Sequence, residues 1–270
     1  MGKGFPIGIS TTVVHDLQVR IDAKKHSKKE VLIYEITENN IMNTSDYIFT
    51  ISEFSKNQIV SFYPNYGSKV LNMSNSVSMV NYVGLLPMQT EYDYILYVGR
   101  LCDQKNVMTL VKAFTLIMDQ YPKLKLVLLA KSGWYWEKII KPFAVKHRIL
   151  DRIVLTGQCS EENLSQWYLG AKCFVFPSLR EGFGSPPIEA AFMKIPVVTS
   201  KADSLEEVTL GLLNYYDPPL DETELSSAIK NVLDNQPSES ELNYIQTEYE
   251  KKYSINVFGN RICNFIENYV

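Results

Sequence analysis

The sequence has 270 residues, of which 46% are hydrophobic and 21% charged, and its formal net charge is −3. A chain of this length and composition can bury a sizeable core, which excludes an intrinsically disordered protein. Without a strong excess of basic residues, nucleic acid is not an expected partner.

The first 86 residues show a weak α/β pattern. We predict a strand near Ile9–Val14, a helix near Lys28–Asn43, a strand near Tyr47–Ile51 and a helix that begins after Ser52. A complete Rossmann-like half has about five or six strands. We therefore expect residues 1–86 to form a domain that is incomplete at its front. A partner chain or a second copy would cover the sheet edge left exposed.

From Tyr92 onward, short apolar runs rich in β-branched and aromatic residues alternate regularly with helical segments. This alternation is typical of a parallel sheet with crossover helices, and it predicts a doubly wound α/β domain over residues 87–254. The predicted strands are Tyr94–Gly99, Leu124–Ala130, Ile153–Gly157, Cys173–Pro177, Pro196–Thr199 and Leu212–Tyr216. The predicted helices include Val107–Met118, Tyr135–His147, Glu161–Gly170, Pro187–Met193, Glu222–Leu233, Glu239–Lys252 and Ile255–Tyr269.

Signals for membrane insertion and export are weak in this sequence. No apolar run reaches the roughly 18 to 20 residues of a membrane span, and Met1–Ser10 does not resemble a signal peptide. We expect a cytoplasmic protein. The run Lys24–Lys29, which contains His26, is basic, and it is either a solvated surface or a contact for anionic lipid headgroups. If the run contacts lipid headgroups, the protein lies at the inner membrane surface.

The segment 180–190 carries the most chemical information. It reads Arg-Glu-Gly-Phe-Gly-Ser-Pro-Pro-Ile-Glu-Ala and joins a predicted strand to a predicted helix. Helix N-termini at this edge of an open α/β sheet bind phosphate, and Gly182 and Gly184 let the backbone approach a ligand closely. A plain strand-to-helix turn is the alternative. The carboxylates Glu181 and Glu189 bracket the loop, where Glu189 can accept the hydroxyls of a ribose and Glu181 lies near the group on the distal phosphate.

A second candidate loop, Gly99–Asn106, also lies between a strand end and a helix start. Arg100 and Lys105 place two cations there, which can neutralise a diphosphate as it leaves. The alternative is a pair of surface cations. The spacing of the four cysteines does not fit a zinc site, and no Asp-x-Asp pattern is present, so we expect reduced thiols, no metal and no cofactor.

Taken together, the two loops resemble family 4 glycosyltransferases of the GT-B fold. The matching elements, which span nearly the whole chain, are the pair Glu181 and Glu189 with seven residues between them, Pro177–Gly184, Val98–Arg100 with Lys105-Asn106, Leu155–Gly157, Pro196–Ser200, Tyr216–Pro218, Val14–Leu17 and Thr50–Lys56. The resemblance implies a GT-B architecture. A Rossmann-like C-terminal domain would follow a truncated Rossmann-like N-terminal domain, to which the helix 255–270 returns.

The resemblance also implies a reaction and a set of roles. Transfer would proceed with retention and without a metal, from a nucleotide sugar such as a GDP- or UDP-hexose. Arg100 and Lys105 would hold the diphosphate, and Glu189 would hold the ribose. Glu181 would contact the donor sugar, together with the amides of Gly182, Phe183 and Gly184. His15 matches a histidine that faces this sugar.

Two functional hypotheses follow. In the first, the protein transfers a mannose-like or glucose-like hexose to a saccharide or lipid-linked acceptor in polysaccharide or glycoconjugate biosynthesis. In the second, it is a donor-binding half-enzyme or non-catalytic subunit that needs a partner polypeptide, because the front of the family's N-terminal domain has no counterpart here. A Rossmann-type oxidoreductase is disfavoured, since no Gly-x-Gly-x-x-Gly follows a strand.

Overall fold

A computed structural model describes residues 8–21, 23–25, 27–77, 82 and 84–269. His26 and most of Met1–Ser10, the segment predicted not to be a signal peptide, lie outside the described residues. The chain divides into two compact units. Unit 1 is Met1–Ser76 with Ile255–Val270, and unit 2 is Val77–Ser254. The division falls before residue 86, the boundary predicted from sequence, because Val77 is already buried and donates its N–H to the Tyr253 carbonyl at 3.0 Å.

Unit 1 contains a small parallel sheet with strand order β1-β2-β3. Helix α2 begins with a full capping box between Ser27 and Glu30, and α3 begins where the Ser52 hydroxyl accepts the Ser55 amide. The short third strand was not predicted, because it follows directly on a 3-10 turn. The elements are β1 (Thr11–Val13), α1 (Gln18–Ile21), α2 (Lys28–Thr44), β2 (Tyr47–Thr50), α3 (Glu53–Phe62) and β3 (Val70–Asn72).

Unit 2 is built on a six-stranded sheet. Its strands are β4 (Asp93–Val98), β5 (Leu124–Leu129), β6 (Ile153–Leu155), β7 (Cys173–Phe176), β8 (Val197–Ser200) and β9 (Asn214–Tyr216). Its helices are α4 (Val107–Ile117), α5 (Lys141–Lys146, entered through a π-helical turn), α6 (Glu161–Leu169), α7 (Ser185–Phe192), α8 (Leu205–Val208), α9 (Glu222–Asp234) and α10 (Glu239–Tyr253).

All six strands of this sheet are parallel, in the order β6-β5-β4-β7-β8-β9. Counted along unit 2 this is the order 3-2-1-4-5-6 of a doubly wound Rossmann-type sheet. The predicted α/β fold class is therefore confirmed. The strand order reverses between β4 and β7, which pair through Ile95 with Cys173 and Leu96 with Phe174.

The strands of unit 2 are apolar on both faces, as expected for a sheet covered by helices on both sides. Alternate residues Ile95 and Tyr97 pack into a core with α4 and α9. On the opposite face, Phe174 contacts Tyr168 of α6 with ring centroids 5.2 Å apart, and Phe174 and Phe176 stack at 6.2 Å. Aromatic residues thus fix α6 against the strand that precedes the predicted glycine loop.

The C-terminal helix, α11 (Ile255–Tyr269), belongs to unit 1. Its Phe265 meets the rings of Tyr47 and Phe49 edge-on, with centroids 5.0 and 4.9 Å away. Such edge-to-face pairs add to the hydrophobic burial of the rings. Within the described part of the chain, none of the helices combines the length and apolar character that crossing a bilayer requires.

Candidate active site

The two loops singled out in the sequence lie side by side at the carboxyl edge of the unit 2 sheet. One follows β4 and the other follows β7, the pair between which the strand order reverses. The Leu179 amide donates to the Gln104 carbonyl at 2.8 Å, and the Gln104 side chain donates to the Arg180 carbonyl at 3.1 Å. Reversal of the strand order leaves a crevice at this point, which is where ligands bind in open α/β sheets.

Lys105 and Glu181 form an ion pair across the two loops. The Lys105 ammonium lies 2.5 Å from a Glu181 carboxylate oxygen, and the side chains are only 17% and 12% exposed. Lys105 also lies 5.4 Å from the centre of the Phe176 ring. The sequence predicts that these residues contact different parts of a ligand, and in the structure they contact each other directly. An anion that binds Lys105 must therefore compete with the Glu181 carboxylate.

Asn106 fixes the end of the first loop. It adopts a left-handed conformation, with φ of 54°, as the residue before α4. Its side chain donates to the Pro219 carbonyl at 2.6 Å and accepts from the Thr109 hydroxyl at 2.7 Å. These bonds hold the backbone next to Lys105, so the ammonium is carried by an ordered loop.

Arg100 is exposed at the edge of an open cavity of about 830 Å³. Its carbonyl accepts a hydrogen bond from Tyr97, whose buried ring lies under the loop. The cavity is formed by the segments that follow β4, β5 and β6, and its polar lining includes Lys131, Ser132, Gln158 and Cys159. A cavity of this size is in the range of small-molecule sites.

The loop after β7 ends in Gly184, which precedes α7 and has a φ of +86°. Only glycine adopts this conformation without strain, and a Cβ here would lie 2.5 Å from Leu205. The Ser204 hydroxyl donates to the Glu181 carbonyl at 2.8 Å, which holds the start of the loop. The loop is thus shaped to present the N-terminus of α7, where amides and the helix dipole favour an anion.

Phe183 lies within this loop, but its ring is buried and meets the Tyr253 ring edge-on at 5.4 Å. A donor-binding role for Phe183 therefore rests on its backbone.

Glu189 is partly buried on α7, and burial raises the pKa of its carboxyl group. The negative charge of Glu189 and, more strongly, burial raise the pKa of Tyr168 on α6. The Tyr168 hydroxyl is fully enclosed and has no hydrogen-bond partner among the described residues. The folded state therefore places two poorly solvated groups near each other, the Glu189 carboxyl on α7 and the Tyr168 hydroxyl on α6.

His15 lies in unit 1, just beyond the end of β1, and is exposed. Its carbonyl accepts a hydrogen bond from Ser55 at 3.0 Å. Among the described residues, no cluster of three or more His, Cys, Asp and Glu side chains is arranged to hold a metal ion.

The cavity wall beyond Arg100 and the unpartnered hydroxyl of Tyr168 were not predicted from the sequence. The wall residues Lys131 and Gln158 directly follow predicted strands, so their position at a carboxyl edge was a usable signal. Tyr168 carried no such signal, because an unpartnered hydroxyl is a property of three-dimensional packing.

Comparison with known proteins identifies the family. The sequence profile described as "Glycosyl transferases group 1" matches residues 86–251, which is most of unit 2. The chain belongs to this family. As a group 1 glycosyltransferase family member, it has both candidate loops inside the matched region.

Several curated relatives are mannosyltransferases by name. The chain is 28% identical over 210 residues to O-antigen chain mannosyltransferase B of Escherichia coli. The aligned region covers 74% of this chain and 55% of the relative. It is 28% identical over 186 residues to O-antigen chain mannosyltransferase RfbU of Salmonella typhimurium, covering 69% and 50%. The chain thus spans about half the length of these relatives.

Solved structures show the GT-B type of α/β fold for this family member. Sucrose-phosphate synthase from Thermosynechococcus elongatus superposes with a TM-score of 0.77 at 20% identity, over 95% of this chain and 67% of the other. Anabaena HepE, solved in complex with UDP and glucose, superposes with a TM-score of 0.73 at 14% identity, over 96% and 71%.

The enclosed hydroxyl of Tyr168 leads to a stability prediction. Tyr168→Phe should leave the free energy of unfolding unchanged or raise it by about 1 kcal/mol, because an unsatisfied buried hydroxyl is removed. The matched control is Tyr94→Phe, which loses a hydrogen bond to the Trp167 carbonyl and should lower that free energy by about 1 kcal/mol. Urea unfolding of both variants measures the difference. Equal destabilisation of the two would show that the Tyr168 hydroxyl has a partner.

Proposed function

We propose that this protein is a retaining, metal-independent hexosyltransferase that uses a nucleotide diphosphate sugar. The observation that carries the proposal is the ion pair between Lys105 and Glu181 at the point where strand order reverses. The pair joins the loop after β4, which also carries Arg100, to the loop that leads into α7. Family membership supports glycosyl transfer as the reaction.

In this proposal, the donor diphosphate replaces Glu181 as the partner of Lys105. The diphosphate carries more charge than the carboxylate, and Arg100 and the amides at the N-terminus of α7 add to its binding. These positive groups also stabilise the charge that develops on the diphosphate as the glycosidic bond breaks. Glu181, once released from Lys105, is free to accept hydrogen bonds from hydroxyl groups of the donor sugar.

The nucleoside occupies the remaining part of the crevice. The ribose hydroxyls donate hydrogen bonds to Glu189. Burial raises the pKa of this carboxyl group because its charged form is poorly solvated, and the hydrogen bonds from the ribose would stabilise that charged form. The base lies in the cavity beside Arg100, where Ser132 and Gln158 offer polar contacts. His15 is proposed to take part in recognition of the donor sugar.

The relatives guide the choice of sugar and pathway. Because the relatives include two named O-antigen chain mannosyltransferases and a serotype-specific mannosyltransferase, we infer a mannose-like donor, with a glucose-like one as the alternative, and a GDP- or UDP-linked nucleotide. The acceptor is a saccharide or lipid-linked saccharide in polysaccharide or glycoconjugate assembly, and transfer takes place in the cytoplasm.

A second candidate is a donor-binding half-enzyme that needs another polypeptide. One observation favours it: the described unit 1 sheet has three strands, with β1 exposed at an edge. An open strand edge can pair with another chain. In this candidate, a second copy or a partner completes unit 1, and the isolated chain binds the donor without transferring sugar.

The role of the cations can be tested by substitution. Lys105→Ala and Arg100→Ala should each weaken binding of the nucleoside diphosphate by roughly 1.5 to 3 kcal/mol, because each removes a charge-assisted contact. Isothermal calorimetry with GDP and UDP measures the change. Lys112→Ala, an exposed lysine of α4 that pairs with Glu222 at 3.9 Å, is the control and should bind normally. Unchanged affinity in both test variants would contradict the assignment.

The two glutamates should respond differently. Glu189→Gln should weaken binding of the free nucleotide. Glu181→Gln removes the carboxylate that competes for Lys105, so it should leave binding of the free nucleotide at least as tight and should lower the affinity for the sugar nucleotide relative to the free nucleotide. Calorimetry with each ligand separates these effects. The reverse pattern would show that the two carboxylates have been placed wrongly in the crevice.

Stability of the ligand-free protein provides an independent readout for Glu189. Its folded-state pKa is raised, so the folded state binds the proton more tightly and stability falls as pH rises through the carboxyl range. Glu189→Gln should therefore unfold at a higher temperature than the wild type at neutral pH. The advantage should shrink at acid pH. Glu181→Gln should instead unfold at a lower temperature, because it breaks the pair with Lys105.

Metal independence has a direct test. Donor binding and any transfer or donor hydrolysis should persist in excess EDTA, because the cations and the helix terminus already neutralise the diphosphate. Loss in EDTA that magnesium or manganese restores would argue for a metal-dependent reaction.

A further inference from the structure

The ion pair of Lys105 and Glu181 joins two loops whose backbones are held in place by other hydrogen bonds. The Arg180 carbonyl, next to Glu181, accepts a hydrogen bond from the Gln104 side chain at 3.1 Å, and the Glu181 carbonyl accepts one from the Ser204 hydroxyl at 2.8 Å. A ligand can therefore separate the two charges by rotating their side chains, but it cannot move the loops apart without breaking these bonds.

Separating the pair leaves two poorly solvated charges. The side chain of Glu181 is 12% exposed and that of Lys105 is 17% exposed, so water reaches neither charge as freely as it reaches a charge on the surface. A partly buried charge that loses its partner destabilises the state that contains it. A ligand that binds Lys105 must therefore also donate hydrogen bonds to Glu181, or it leaves the carboxylate in an unfavourable environment.

The donor and the product nucleotide differ in this respect, and the inference rests on the proposed function. A sugar nucleotide offers its diphosphate to Lys105 and its sugar hydroxyls to Glu181, so both charges keep partners. The nucleoside diphosphate offers its diphosphate alone. It therefore leaves the Glu181 carboxylate beside a phosphate group of the same sign.

Transfer itself increases this repulsion. The acceptor oxygen replaces the phosphate oxygen on the sugar carbon, the acceptor hydroxyl releases its proton to the solvent, and the bonding electron pair stays on the phosphate. A terminal phosphate has a second pKa of about 6, so at neutral pH the product carries more negative charge than the donor did. The product complex thus brings together a more highly charged phosphate and a carboxylate that has lost its hydrogen-bond donors.

We propose that Glu181 distinguishes the sugar nucleotide from the product nucleotide and promotes release of the nucleoside diphosphate by re-forming its ion pair with Lys105. Before transfer, Glu181 contributes to binding of the donor through the sugar. After transfer, the same carboxylate repels the phosphate and competes with it for Lys105, until the pair closes again at 2.5 Å. Glu181 is in this way a determinant of specificity for substrate over product.

Calorimetry on the full chain tests the proposal with GDP, GDP-mannose, UDP and UDP-glucose. In the wild type, the sugar nucleotide should bind more tightly than its own nucleoside diphosphate, although the latter carries more charge. Glu181→Gln should bind the nucleoside diphosphate roughly tenfold more tightly than the wild type, because no carboxylate competes for Lys105. Loss of sugar contacts alone would leave this affinity unchanged, which separates the proposal from a role in donor binding only.

Surface plasmon resonance with immobilised protein measures the release step directly. The nucleoside diphosphate should dissociate from Glu181→Gln more slowly than from the wild type, whereas Glu181→Asp, which keeps the carboxylate, should restore faster release. Lys105→Ala/Glu181→Gln should show less tightening relative to Lys105→Ala, because the competition for Lys105 is already absent. The matched control Glu137→Gln breaks an exposed pair with Lys141 at 3.0 Å and should behave like the wild type. GMP and UMP lack the distal phosphate and should bind wild type and Glu181→Gln alike.

Three results would overturn the proposal and leave the proposed function in place. They are a nucleoside diphosphate that binds Glu181→Gln no more tightly than the wild type, a wild type that prefers the nucleoside diphosphate to the sugar nucleotide, and equal tightening of GMP or UMP in Glu181→Gln. Circular dichroism verifies that each variant is folded, and the comparison within the wild type needs no variant. A folded wild type that binds none of the four nucleotides would instead overturn the proposed function together with this inference.

Discussion

The pairing of β4 with β7 is the constraint on which the candidate site depends. These strands are neighbours in the sheet but distant in the chain, and the connections that follow them diverge to opposite faces. The divergence leaves backbone groups at the carboxyl edge uncovered by the sheet's own connections. The Gln104 contacts with Leu179 and Arg180 then fix the distance between the loops, so that a cation and a carboxylate from remote parts of the sequence can meet. The order of the strands in unit 2 thus determines which loops meet, and only then can individual side chains such as Lys105 and Glu181 form a site.

Several groups at this site are held in environments that do not favour folding. The Glu189 carboxyl is desolvated, the Tyr168 hydroxyl is enclosed without a partner, and Gly184 adopts a conformation closed to other residues. Each costs stability, which the aromatic packing of Phe174 and Phe176 and the large core around α4 and α9 offset. Buried polar groups without partners and strained backbone conformations are expected to cluster where a protein binds a ligand or catalyses a reaction.

Much of unit 2 could be predicted from sequence because its signals are local. Strands such as Cys173–Phe176 are continuous apolar runs, and α9 has apolar residues at helical spacing with Asp221 as its cap. The loops were found because glycine, proline and charged residues follow those runs. The ion pair between Lys105 and Glu181 was not predicted, since it depends on loops that converge only after the sheet forms. The brief strand β3 and helix α8 were not predicted. Strand β3 follows directly on a 3-10 turn, and the four residues of α8 make little more than one helical turn.

The hydrogen bond from Val77 to Tyr253 determines how unit 2 can be rearranged by protein engineering. It joins the first and nearly the last residue of unit 2, so the chain enters and leaves that unit at a single point. A domain whose ends adjoin can be inserted into another polypeptide, circularly permuted or exchanged between hosts with little effect on its interior. Unit 2 can therefore be joined to other domains by recombination, and the crevice at its sheet edge would keep its structure.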